Sequence, residues 1–212
     1  MKKDVIILTK SIKRGGYCVA GIDVNSGKWV RIVSDNVRNE HAILDSDMIY
    51  SDGTVADILD IVRIDFLRSA ATPIQPENLL LNDSVQWIKL GKTNLSDVVS
   101  IHPYENPDFI FYNCDKSVAL SDIKPTNHSS LFLIEVPQSY IYIKTFERKR
   151  FNLNFTYNQR EYQYISITDE RIRNMYADKP DGSYPCRNNI PVVFSLADMY
   201  EGRYYKIAAQ LL

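Results

Sequence analysis

Ile6-Ile7-Leu8-Thr9-Lys10-Ser11-Ile12-Lys13-Arg14-Gly15-Gly16-Tyr17-Cys18-Val19-Ala20-Gly21-Ile22-Asp23, continued by Asn25-Ser26-Gly27-Lys28-Trp29-Val30-Arg31-Ile32-Val33, decides the fold. It reads as three short strands joined by two tight turns. Gly15-Gly16 makes the first turn and Asn25-Ser26-Gly27 the second, because glycine and asparagine accept the positive φ that hairpin turns require. In the second strand Tyr17, Val19 and Gly21 face one way and Cys18, Ala20 and Ile22 the other. Small residues on both faces predict close backbone approach, as in a tightly curled barrel. In the third strand Val30 and Ile32 form a core face, and Trp29 and Arg31 share the opposite one. Basic residues crowd the first turn. The stretch therefore joins a small-barrel meander to a basic, aromatic surface, which points to binding more than to catalysis.

Further along, residues 35–57 are polar and acidic without a sustained period and are expected to be loop with a helical turn. From Asp60 to Arg68 the chain alternates again, Val62, Ile64 and Phe66 against Arg63, Asp65 and Leu67. That is a half-buried strand that would close a first barrel. Prolines 73, 76, 103, 107, 125 and 137 mark the middle. Between them lie a strand-like Val85–Leu90 and a helical 94–100 with Asn94 as N-cap. The second half is dense in strands: the apolar 131–136, then 139–146, 151–157 and 161–168, with a hairpin turn over Tyr157-Asn158-Gln159-Arg160. On the last of these Tyr162, Tyr164 and Ser166 are expected on one face. A short helix starting from a Thr168 N-cap, a loop over Lys179–Pro185 and strands at 192–196 and 204–211 complete the pattern. The expected fold is mostly β with a few short helices: two OB-like small β-barrels packed together. The first barrel is placed at 1–70, a connecting region with a short strand and helix at 71–128, and the second barrel at 129–212.

Composition narrows the function. The chain has 212 residues, 45% of them hydrophobic, and its longest apolar runs are far too short to span a bilayer. Met1-Lys2-Lys3-Asp4 leads into a run of four apolar residues, shorter than a signal peptide's, so a cytoplasmic protein without membrane contact is expected. Three scattered cysteines, Cys18, Cys114 and Cys186, fit neither a disulfide framework nor a zinc site. Net charge is −1, which excludes a strong, indiscriminate coat for nucleic acid. The charge is segregated, however. Residues 1–14 carry Lys2, Lys3, Lys10, Lys13 and Arg14 against Asp4, and 144–150 carry Lys144, Arg148, Lys149 and Arg150 against Glu147. Residues 40–65 hold one glutamate and six aspartates against Arg63. Local patches under a neutral total suit a specific site.

The motif Lys10-Ser11-x-Lys13-x-Gly15-Gly16-x-Cys18-Val19-Ala20-Gly21, then Gly27-x-Trp29-Val30-Arg31, resembles the signature of the prokaryotic dual OB-fold domain family. In the second half Ile165-Ser166-Ile167-Thr168-Asp169, Phe194-Ser195-Leu196 and Tyr204-Tyr205-Lys206-Ile207-Ala208-Ala209 follow in the same order. The resemblance implies two OB-like barrels and a nucleic-acid-binding role in defence or mobile-element systems. It carries no catalytic residues over. Members of that family often have a proline after the Trp-x-Arg arginine, where this chain has Ile32.

OB barrels bind single strands on a curved face that offers aromatics for stacking and cations for phosphates. Here Trp29 and Arg31, and Tyr140, Tyr142 and Lys144, have that chemistry. Lys10, Lys13 and Arg14 with Arg148, Lys149 and Arg150 would meet phosphates. Single-stranded DNA or RNA, or a nucleotide ligand, is the expected partner. No cofactor, metal ligand or catalytic residue is expected. Ser11 and Lys13 could form a dyad, and Cys18 could pair with His41, His102 or His128, but all three histidines lie in loop-like segments. Gly15-Gly16 beside Lys13 lacks the following helix of a P-loop. The alternatives are a protein-interaction or sensor module and, through the 40–65 carboxylates, a metal-dependent nuclease.

Overall fold

The computed structural model describes residues 1–123 and 129–212. Pro125 and His128 lie outside the described residues. The chain divides into two units.

The first unit spans Met1–Pro103. It contains β1 (Lys2–Lys13), β2 (Gly16–Asp23), β3 (Trp29–Val33), β4 (Asp60–Ser69), β5 (Asn78–Leu81), β6 (Ile88–Lys92) and the short helix α1 (Leu95–Ile101). The strands are joined in the order β1-β2-β3-β5-β4, and β4 returns to β1, so five strands form a closed barrel with β6 added along β4. Of these pairings only β3 with β5 is parallel. The early part of β1 pairs with β4 and the later part with β2, and Val5 and Ile6 are bonded on both edges. A strand shared in this way must curl. A bulge at Leu8, where Ile7 and Thr9 face the consecutive residues Gly21 and Ala20, supplies the bend. At Gly21 a Cβ would stand 1.9 Å from the Ile6 carbonyl oxygen, so only glycine fits. The two turns form as expected, with Gly15 at φ +75° and Gly27 at +66°.

Residues 71–103, set apart in the sequence as connecting, give β5, β6 and α1 to this unit. Asn94 does cap α1, its side chain accepting the Asp97 N–H. The strand expected at 85–90 lies at Ile88–Lys92, with Trp87 fully buried ahead of it.

The second unit comprises 104–123 and Ser130–Leu212. Its strands are β7 (Ser117–Ala119), β8 (Leu131–Val136), β9 (Gln138–Thr145), β10 (Lys149–Tyr157), β11 (Arg160–Ile167), β12 (Gly182–Pro185), β13 (Ile190–Tyr200) and β14 (Arg203–Leu211). They run β9-β10-β11-β14-β13-β8, with β11 and β14 parallel. The order matches the first barrel if β8 and β9 together stand for its first strand. They are one run of chain with only Pro137 between them. Proline cannot donate to a ladder, so it belongs at such a bend, and its carbonyl accepts the Asn189 N–H at 3.0 Å.

Two local expectations change. Lys179–Pro185 is not all loop, since β12 pairs with β9 along the edge opposite β10. The N-cap of α2 (Glu170–Met175) is Asp169, not Thr168. A carboxylate suits this position because it serves two elements: one oxygen accepts the N–H groups of Arg171 and Ile172, the other that of Leu211. Among the described residues no helix is long and apolar enough to cross a membrane.

A lysine is buried in the second unit. Lys206 on β14 is almost fully buried, its Nζ donating to the Asn113 carbonyl at 2.5 Å and side-chain oxygen at 2.8 Å. Burial pushes its pKa down to about 7.

Two predictions follow from this packing. Gly21→Ala should lose about 3 kcal/mol, the upper range for overpacking, because the new Cβ meets backbone that cannot yield cheaply. Gly91→Ala, with open space around it, should stay within about 0.5 kcal/mol. Equal denaturation midpoints for the two would remove the close-approach argument. For Lys206, the unfolded chain keeps its proton up to about pH 10.4, whereas the folded chain releases it near 7. The cost of burying the charge is therefore full below about pH 7 and fades as pH rises. Wild type should gain stability relative to Lys206→Met between pH 7 and 10 in guanidinium titrations. A constant difference would mean that Lys206 stays charged in the fold.

Candidate nucleic-acid interface

The two barrels differ in what covers the strands that follow the first. In the first unit both faces of β3 are buried. Trp29 is 8% exposed, its ring edge-on to His102 with centroids 5.3 Å apart. The Arg31 Nε lies 3.2 Å from the Glu77 carboxylate, both side chains at most 5% exposed, and its Nη1 donates to the Cys18 Sγ at 3.0 Å. Tyr17 on β2 bridges to Ile43. Segments from 34–59, the approach to β5 and the end of α1 thus close this surface. Trp29 and Arg31 are corrected accordingly: they are buried packing and ion-pair residues and cannot stack on a ligand. Lys10 is tied to Asp45 at 3.0 Å, with its ammonium 4.5 Å over the Tyr17 ring. Lys13, at the end of β1, also has a partner, and Arg14 is exposed with Glu40 3.9 Å away.

In the second unit the corresponding face is open. Along β9, Ile141 and Ile143 point inward while Gln138, Tyr140, Tyr142 and Lys144 point outward. On β10, Phe151, Leu153, Phe155 and Tyr157 fill the barrel and leave Arg150, Asn152, Asn154 and Thr156 outside. Register sets Lys144 against Arg150, Tyr142 against Asn152, and Tyr140 against Asn154. This follows from strict alternation of strand-favouring residues.

β11 departs from that rule. Leu153 faces Ile165 but Phe155 faces Tyr162, so the extra residue beside Asn154 makes a bulge. Tyr164 takes φ +59° there, and its N–H donates to the Asn154 Oδ1 at 2.7 Å. Tyr162 and Tyr164 therefore do not share a face, contrary to expectation. Tyr162 is fully buried, its hydroxyl accepting the Ile110 N–H at 3.0 Å, and burial pushes its pKa up to about 12. Tyr164 turns outward, 49% exposed, with Tyr142 edge-on to it at 5.5 Å, and Tyr140 is 47% exposed.

Cations gather at one end. In the β9–β10 loop Phe146 is 64% exposed, with the Arg150 guanidinium 5.4 Å over its ring, and Arg148 is exposed. Lys144 lies 3.4 Å from Asp181. The Thr145 N–H and hydroxyl hold the Asp181 carboxyl below its usual range. Lys149 points elsewhere, donating to the carbonyls of Ala177 and Lys179. Of the residues named from sequence, Tyr140, Tyr142, Lys144, Arg148 and Arg150 are thus brought together. Tyr164, Asn152, Asn154 and Phe146 join them. The two asparagines were visible as outward positions, but amides on a wet sheet face carry no signal of their own.

The other candidates disperse. The Ser11 Oγ is buried and has no hydrogen-bond partner among the described residues, so no dyad with Lys13 forms. Cys18 meets Arg31, whereas His41 and His102 bond to the carbonyls of Ser34 and Gly27. The acidic stretch is held by local partners: Asp47 takes the Leu44 N–H, Asp52 takes Thr54, Asp57 takes Lys92, and Asp60 takes Tyr50 and Lys89. Among the described residues no three histidine, cysteine or acidic side chains converge as a metal site.

No curated protein and no solved structure matches the chain. A family model, that of the dual OB-containing domain, matches residues 3–211, and the two like-ordered barrels agree with it; the chain belongs to the dual OB-containing domain family.

Proposed function

We propose that the chain binds single-stranded nucleic acid across the outer face of β9, β10 and β11, without chemistry of its own. The observation that carries this reading is the cluster of Tyr140, Tyr142 and Tyr164 on one curved face, with Arg148, Arg150 and Phe146 at its end. Stacking contributes about 1–3 kcal/mol per base, so three exposed rings supply up to about 9 kcal/mol, the scale of micromolar binding. The few cations suit a short phosphate track and a shallow salt dependence. The first barrel, its own face closed, acts in this reading as a supporting body.

Labelled single-stranded decamers of DNA and RNA, titrated by fluorescence anisotropy at low salt, provide the test. Tyr140→Ala and Tyr164→Ala should each weaken binding about fivefold or more, consistent with the loss of one stacked base. Arg148→Ala should flatten the plot of log affinity against log salt by about 0.7. No binding at tens of micromolar, or variants indistinguishable from wild type, would defeat the proposal.

A further inference from the structure

At the end of the tyrosine face away from the arginines, a groove of about 170 Å³ lies between β9, β10 and β11, lined by Gln138, Tyr140, Asn154, Thr156, Glu161 and Gln163 among others. Its polar groups are fixed in role. The Asn154 Oδ1 already accepts the Tyr164 N–H at 2.7 Å, which settles the amide's orientation and leaves Nδ2 as a pure donor. The Glu161 Oε2 accepts from the Gln163 amide at 3.1 Å, and its Oε1 has no partner among the described residues. Glu161 faces Thr156 across the strands, and Asn154 is two residues from Thr156 on the same side. The donor and the acceptor are therefore diagonal neighbours, roughly 7–8 Å apart with their Cβ atoms somewhat closer. Tyr140, opposite Asn154, sets an exposed ring beside them.

A carboxylate on a surface that receives a polyanion repels phosphate. Its place beside a stacking ring favours the edge of a base instead. Guanine is the base whose pairing edge carries two adjacent N–H donors, N1–H and the N2 amino group, next to a carbonyl acceptor, O6. Two parallel bonds to a charged carboxylate are stronger than the single amino contact adenine or cytosine can offer. We propose, resting on the single-strand binding inferred above, that this groove selects guanine. Tyr140 stacks on the ring, the Asn154 Nδ2 donates to O6, and the Glu161 carboxylate accepts from N1–H and the N2 amino group.

The test uses labelled U10 RNA and dT10 DNA, each with its central residue replaced in turn by guanine, adenine, cytosine or hypoxanthine, titrated against wild type and Glu161→Gln. Wild type should bind the guanine decamers at least about fivefold more tightly than the adenine or cytosine ones, the low end for one bidentate base contact. Hypoxanthine, which lacks the N2 amino group, should fall between. Glu161→Gln keeps size and exposure but removes a charge that repels phosphate, so the homopolymers should bind at least as tightly as before while all substituted decamers converge within about twofold. Equal affinity for all bases, or a guanine preference that survives Glu161→Gln, overturns guanine selection and leaves single-strand binding standing. Failure of every decamer to bind overturns both.

Discussion

A five-stranded barrel closes only if its first strand bonds to neighbours on both edges, and a strand in that position must bend sharply within a few residues. Much of this chain answers that demand. In the first barrel the bend is a bulge at Leu8, and the inward curl brings Ile6 so near to β2 that residue 21 must be glycine. In the second barrel the same bend falls at Pro137, which divides the strand into β8 and β9. Two local devices, an inserted residue and an imino acid, meet one topological requirement.

The barrels then diverge in what the bend leaves available. The first is wrapped by its own insertions: Glu77 neutralises Arg31, His102 seats Trp29, and Ile43 bridges to Tyr17. An arginine held in this way is costly to bury and would be more costly to leave unpaired, so the cover is part of the fold. The second barrel puts its long connections elsewhere. β12 lies along the edge of β9, and the outward row of tyrosines and asparagines stays wet. Duplicate architecture is thus compatible with unequal roles, because surface exposure is decided by the loops and not by strand order.

Much of this was legible from residue order. Turn glycines and alternation located β1 to β4 and β9 to β11, and apolar Ile141 and Ile143 already implied that Tyr140, Tyr142 and Lys144 face outward. β5 was not legible. Its Asn78-Leu79-Leu80-Leu81 has no alternation, and its partner β3 lies 47 residues earlier in register. The burial of Trp29 and Arg31 was equally hidden, since periodicity tells which residues share a face but not what lies against it. The bulge in β11 escaped because Tyr-Gln-Tyr-Ile looks like regular alternation, and only the pairing with β10 shows the extra residue.

That bulge has a bearing on how the family can diversify. Because Tyr164 is turned outward by strand length rather than by side-chain preference, a point substitution there changes only which ring or chain is displayed. Loss of one codon between 162 and 165 would instead restore a regular ladder. It would withdraw the Asn154 anchor and leave one outward residue in place of Gln163 and Tyr164, while Tyr162 and Ile165 kept their inward places and β14 could still pair with Ser166 and Ile167. Insertions and deletions in this short window, more than substitutions, are therefore the changes that set how many side chains the second barrel displays there.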